Sequence, residues 1–203
     1  MSQDQKAELI IQAAIKRFAH FGVSKTTMAE IAADLSISKA SLYYYFPDKL
    51  NLYAAVFKTI TAHSENTDDE ELAKDKDPFR AIIAFLEKRT EFIIRYHNIL
   101  EFLKTFNPSQ IPPELQPIFS NLKKRELQRL TSIIQKGVDA GTFKIGDASK
   151  AAGLFFDFLE GFRYSFLVTT NNFFPDKKQF LSILKKEKEF SVIFFNGLTI
   201  NSG

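Results

Sequence analysis

Between Ser38 and Phe46 the chain sets out a cation at Lys39, a small apolar group at Ala40, hydroxyls at Ser38 and Ser41, and phenols at Tyr43 and Tyr44. Such groups can meet base edges and phosphate oxygens, and Lys49 just beyond them adds a point charge. That is the chemistry of nucleic-acid recognition. Bond-making chemistry has poorer support. With no cysteine, thiolate metal sites and cysteine nucleophiles are excluded. His20, His63 and His97 have no metal-ligand spacing, and the chain has neither a glycine-rich phosphate loop nor a serine in a nucleophile-elbow pattern. An enzyme is therefore the weaker reading, and no cofactor or metal is expected.

Short helices must hold the Ser38–Phe46 groups in place. From Gln5 to Phe21, the apolar residues Ile10, Ala13, Ala14, Phe18 and Phe21 recur at helical steps, and Gly22 ends the run. Thr27 and Glu30 have capping-box spacing and open a second helix whose inner face is Met28, Ile31, Ala32 and Leu35. After the break Ser36-Ile37-Ser38, a third helix is predicted to Phe46, with Ser38 as N-cap and Ile37 stapled to Leu42. Its helical wheel turns Leu42, Tyr45 and Phe46 inward and leaves Lys39, Ala40, Ser41, Tyr43 and Tyr44 outside. Helix N-termini at Thr27 and Ser38 can also offer backbone N–H groups to phosphates.

Pro47 stops the third helix, and Asp48 can cap a fourth that runs to about His63. The polar, acidic stretch Ser64–Asp77 then reads as a loose connection. Further helices are predicted over Pro78–Tyr96, Asn98–Phe106, Pro113–Ala140, Asp147–Thr169 and Pro175–Leu198, with Gly141 as a C-cap. The expected fold class is all-α with about nine helices. A helix-turn-helix domain over 1–47 precedes a larger regulatory and dimerisation domain over 48–203, which begins with a connecting helix at 48–63. An apolar fraction of 45% with 22 Phe and only 8 Gly suits long helices packed around large rings. The polar N-terminus and the charges that interrupt Leu154–Val168 point to a cytoplasmic protein without membrane association.

The residues Ile10 to Phe21 with Gly22-Val23, then Thr27-Met28-Ala29-Glu30-Ile31-Ala32, then Ser38-Lys39-Ala40-Ser41-Leu42-Tyr43-Tyr44-Tyr45-Phe46-Pro47-Asp48-Lys49-Leu50 resemble the DNA-binding domain of the tetracycline-repressor-like (TetR) family. The resemblance implies a ligand-responsive repressor that binds double-stranded operator DNA. In that setting Thr27 and Met28 would touch the DNA backbone or groove edge, Lys39, Ala40 and Ser41 would face bases, and Tyr43, Tyr44 and Lys49 would hold phosphates. Two positions depart from the family pattern: Ser36 stands where Gly is common, and Tyr45 where His is frequent. A serine in a left-handed turn is strained, so the turn is expected to differ slightly in shape.

Phe155, Phe158, Leu159, Phe162 and Phe166 form one helical stripe and Phe190, Ile193, Phe194 and Leu198 another. Either stripe can be core. The family resemblance implies instead that both helices pair with those of a second copy, so Phe155, Leu159, Phe166, Phe190, Ile193 and Phe194 are expected at a homodimer interface. Gly153, Gly161 and Gly197 would allow close helix approach. A pocket for a small apolar or aromatic effector is expected among Phe92, Tyr96, Phe102, Phe106, Phe119, Phe158 and Phe162, with Arg163 as an orienting group; ordinary core is the rival account of each. A helical protein-interaction module without DNA affinity is the alternative function.

Overall fold

The computed structural model describes residues 3–72, 75–107, 110–169 and 176–199, with side chains for all of these but 65–72 and 167–169. Nine α-helices lie within the described residues: α1 (Gln3–Phe21), α2 (Met28–Asp34), α3 (Lys39–Tyr45), α4 (Lys49–Leu72), α5 (Pro78–Arg95), α6 (His97–Leu100), α7 (Gln116–Asp139), α8 (Ala148–Thr169) and α9 (Lys177–Asn196). A 3-10 turn, Glu101–Thr105, follows α6. Among the described residues the sole β feature is an isolated antiparallel bridge between Phe143 and Thr199.

Three expectations need correcting. The fourth helix does not stop at His63 but continues to Leu72. A polar sequence does not by itself exclude a helix, and Glu is a good helix former. The stretch Asn98–Phe106 is not one helix but α6 followed by the 3-10 turn. The seventh helix starts at Gln116 rather than Pro113, with Pro112 and Pro113 lying in the turn before it. Pro175, expected in the first turn of the last helix, lies outside the described residues; Asp176 caps α9 in a reciprocal box with Gln179.

The chain forms two compact units, one of residues 1–64 with 95–121 and one of 65–94 with 122–203. In the first, Ile10, Ala14 and Phe18 of α1, Met28, Ile31 and Ala32 of α2, and Leu42 of α3 are buried in one small core. Arg17 holds α1 to α2 from outside. Its Nε and Nη2 donate to the Asp34 carboxylate at 2.6 and 2.9 Å, while Nη1 lies 3.3 Å from Glu30 Oε1. The short α6 packs on α1, and Asn98 Nδ2 donates to Ala19 O at 2.7 Å near the open end of that helix.

The second unit is built around Phe85 of α5, Ile134 of α7, Phe155 and Leu159 of α8 and Phe195 of α9. Two glycines shape the turn after α7. Gly141 adopts φ +72°, and a Cβ on Gly137 would fall 2.3 Å from the Phe143 ring, which fills that space. Charge is also buried here. Arg89 donates to Glu126 and Glu160, each at 2.7 Å, between the rings of Phe85 and Phe156. Arg163 donates to Glu187 at 2.7 Å, and Glu187 is wholly buried.

Candidate nucleic-acid interface

The short helices α2 and α3 are each started by their own side-chain cap. Thr27 Oγ1 accepts from the Glu30 N–H at 3.3 Å, and Glu30 Oε2 in turn accepts from the Thr27 N–H at 2.8 Å, completing the capping box. The Thr27 N–H foremost, and then the Thr27 hydroxyl, which also donates to Glu30 Oε2 at 2.8 Å, hold the Glu30 carboxyl below its ordinary pKa. Ser38 Oγ accepts from the Ser41 N–H at 3.1 Å and so starts α3.

The turn between α2 and α3 is a Schellman closure: the Ile37 N–H reaches Ala32 O and the Ser36 N–H reaches Ala33 O, both at 3.0 Å. Such a closure needs a left-handed residue, and Ser36 supplies it at φ +53°. The strain expected for a non-glycine residue in this turn is therefore present.

Leu42 is fully buried and fixes the rotation of α3 about its axis. Lys39, Ala40 and Ser38 are consequently exposed and Ser41 is half-buried, while Tyr43 and Tyr44 keep 47% and 72% of their surface in solvent. Phe46 is buried and Tyr45 half-buried, close to the inward orientation expected of them. The outer face thus gathers a cation, small groups, a hydroxyl and two phenols on a single short helix, with no acidic residue in its first turn.

Other expected contacts lie in different surroundings. Thr27 is exposed, but its hydroxyl is engaged with Glu30. Met28 is buried at 6% exposure, so its side chain belongs to the core of the three helices and is not presented at a groove edge. Lys49 Nζ donates to Val23 O and Thr26 O, both at 3.1 Å. Two of its three N–H groups therefore clamp the α1–α2 turn.

Two residues absent from the sequence reading join this surface. Gln3 Nε2 donates to the Tyr44 hydroxyl at 3.4 Å, and Lys6 Nζ sits 5.9 Å from the centre of the Tyr45 ring. Local spacing gave no signal for either, because each lies about 40 positions from its partner in sequence.

The model of the bacterial regulatory proteins of the tetR family matches residues 10–56, which hold α2, α3 and Lys49 but neither Gln3 nor Lys6. A solved transcriptional regulator from Cytophaga hutchinsonii is 31% identical, covers 96% of this chain and 99% of its own, and superposes with a TM-score of 0.84. The chain belongs to the TetR family. It is a DNA-binding regulator of transcription with an all-α fold. The HTH-type transcriptional regulator YhgD of Bacillus subtilis is 27% identical over 156 residues, 75% of this chain and 78% of that protein. Bacillus subtilis FadR, solved in complex with stearoyl-CoA, shares the fold at 18% identity, with a TM-score of 0.65 and coverage of 91% of this chain and 97% of its own.

For a TetR-family chain, the expected dimer residues divide unevenly. Phe155 and Leu159 are fully buried within the second unit, so they are core of the chain itself and not interface. The reason lies in α9, whose Phe190, Phe194 and Phe195 cover Phe155 at ring distances of 5.8, 5.4 and 5.0 Å. Phe166, Phe190 and Phe194 are half-buried, whereas Ile193 keeps 72% of its surface in solvent. Leu154, not in the expected set, is 59% exposed on the same side of α8 as the exposed Phe158. Space beside Gly153 and Gly161 is open, while Gly197 caps the end of α9 instead of lying within it.

The expected pocket residues divide between the two units. Tyr96, Phe102, Phe106 and Phe119 lie in the first unit, and Phe92, Phe158, Phe162 and Arg163 in the second. All but the exposed Phe158 are half-buried, and Arg163 is occupied by Glu187. Among the described residues no helix is long and apolar enough to cross a membrane.

Proposed function

We propose that the protein is a ligand-responsive repressor that binds a near-palindromic operator as a homodimer in the cytoplasm, and has no catalytic role. The observation that carries this reading is the outer face of α3, where Lys39, Ala40, Tyr43 and Tyr44 stand exposed over a buried Leu42. In the proposed division of labour, residues 1–47 read DNA, 48–63 connect, and the chain to 203 dimerises and senses. Lys39, Ala40 and Ser41 face bases; Thr27, Ser38, Tyr43, Tyr44 and Lys49 hold the DNA backbone, and Met28 acts through its main chain.

Dimerisation is supported by the apolar surface left on the second unit. Leu154 and Phe158 lie one helical turn apart on α8, Ile193 is exposed on α9, and the Phe158 and Phe190 rings stack at 3.4 Å between the two helices. Exposed rings and aliphatic groups in one place favour a partner surface, and open space beside Gly153 and Gly161 lets a partner helix come close. A dimer also carries two recognition helices to successive major-groove faces, roughly 34–36 Å apart. An effector is supported by the half-buried rings of each unit and by FadR of like fold, which was solved with stearoyl-CoA. Such a ligand acts through its different affinities for DNA-competent and DNA-released states.

Footprinting and anisotropy titration on the DNA flanking the protein's own gene test this reading. The expected result is a symmetric footprint, two protomers per site, and binding that resists random competitor. Binding abolished equally by random DNA would favour a helical interaction module instead. Ile193→Asp is expected to leave a folded monomer in sedimentation and to weaken operator binding.

A further inference from the structure

Tyr53 of α4 is fully buried, and its hydroxyl has no hydrogen-bond partner. Its ring lies 4.9 Å from Phe102 in an edge-on contact and 6.1 Å from Phe57 in a stacked one. Phe106 continues the cluster from Phe102 at 5.2 Å, and Phe119 from Phe57 at 5.3 Å. All five rings belong to the first unit, and Phe102, Phe106 and Phe119 are only half-buried.

Phenylalanine at position 53 would fill almost the same volume without burying an unpaired donor, which is costly. Burial also pushes the phenol's pKa up, so the hydroxyl stays protonated and remains a donor.

We propose that the Tyr53 hydroxyl is the polar anchor of an effector site in the first unit, donating to a neutral carbonyl-type oxygen on an aromatic or apolar ligand held among Phe57, Phe102, Phe106 and Phe119. A neutral acceptor is specified because a single uncharged donor surrounded by rings cannot offset the desolvation of an anion. Entry is through the 3-10 turn that carries Phe102, an element with weaker hydrogen-bond geometry than an α-helix. That turn follows α6, which is bonded to α1 through Asn98 and Ala19, so a ligand that displaces it bears on the reading helices. The binding claim stands by itself; its consequence for DNA rests on the effector reading above.

Benzophenone and diphenylmethane have nearly the same shape and differ in one carbonyl, which makes them matched probes. Saturation-transfer NMR titrations would use the full-length protein and Tyr53→Phe, a variant that keeps the ring and so keeps the fold. Wild type is expected to bind benzophenone about five- to tenfold more tightly, the value of one hydrogen bond, and Tyr53→Phe to bind both probes equally. Irradiated benzophenone is expected to label peptides containing residue 53 or 102. Equal affinities in wild type, a preference that survives in Tyr53→Phe, adducts elsewhere, or no binding of either probe would overturn the anchor. A carbonyl preference lost in Tyr53→Phe, combined with unchanged operator binding in the presence of benzophenone, would keep the anchor and reject the effector reading.

Discussion

The three N-terminal helices and the helices of the second unit both bury Phe, Ile and Leu, yet they are held in register by different means. In α2 and α3 the short segments are set by caps a few residues away, Thr27 with Glu30 and Ser38 with Ser41, and their orientation by single apolar anchors such as Leu42. The charged clip that joins α1 to α2, Arg17 with Asp34 and Glu30, lies at the surface and is open to water and salt. In the second unit, two ion pairs join distant parts of the chain with little exposure to water, Arg89 with Glu126 and Arg163 with the wholly buried Glu187. Local caps leave a small domain free to expose one polar face, whereas buried pairs tie long helices to one specific arrangement and leave an uncompensated charge if either partner is lost.

The largest effect should therefore come from breaking a buried pair. Glu187→Ala is expected to cost about 3–5 kcal/mol in denaturant unfolding, because it strands the Arg163 guanidinium, and Arg163→Met combined with Glu187→Met should restore most of that loss. A single-variant cost below about 1 kcal/mol would remove the distinction between the two regions. Thr27→Ala deletes the acceptor that starts α2 and should cost about 1 kcal/mol, read as a lower unfolding midpoint.

Ser36→Gly goes the other way. It relieves a left-handed serine and is expected to stabilise the protein by about 0.5–1 kcal/mol, with the α2–α3 turn unchanged. The smallest effect concerns pH. The folded-state pKa of Glu30 is depressed, so its contribution is present above the ordinary carboxylate range and is lost as pH falls through the depressed value. Thermal midpoints of wild type and Glu30→Gln should accordingly differ at pH 7 and converge under more acidic conditions; a gap that widens towards low pH has the wrong sign for this account.

The same contrast explains what could be read from the sequence. The Thr27–Glu30 box, the Ser38 cap and the inward turn of Leu42 depend on residues within one or two helical turns, and the spacing of residue types is enough to place them. Periodicity also marked the Phe155–Leu159 stripe as apolar, but it cannot say what covers a stripe; here the rings of α9 do, and those two residues are core rather than interface. Arg89 meets Glu126 across 37 positions and Glu160 across 71, and Gln3 meets Tyr44 across 41, separations at which a single sequence carries no pairing signal. In the acidic stretch after His63 polarity carries no information about conformation, and α4 continues through it to Leu72.

The most direct test of the outer face of α3 as the reading surface is the salt dependence of affinity for operator and for random DNA, measured on wild type, Lys39→Ala, Ser41→Ala and Lys49→Ala. Lys49→Ala is expected to weaken binding to both DNAs and lower the salt slope by about 1, as one lost phosphate contact does. Lys39→Ala and Ser41→Ala should erode the preference for operator over random sequence. Equal losses on the two DNAs for all three variants would contradict that assignment.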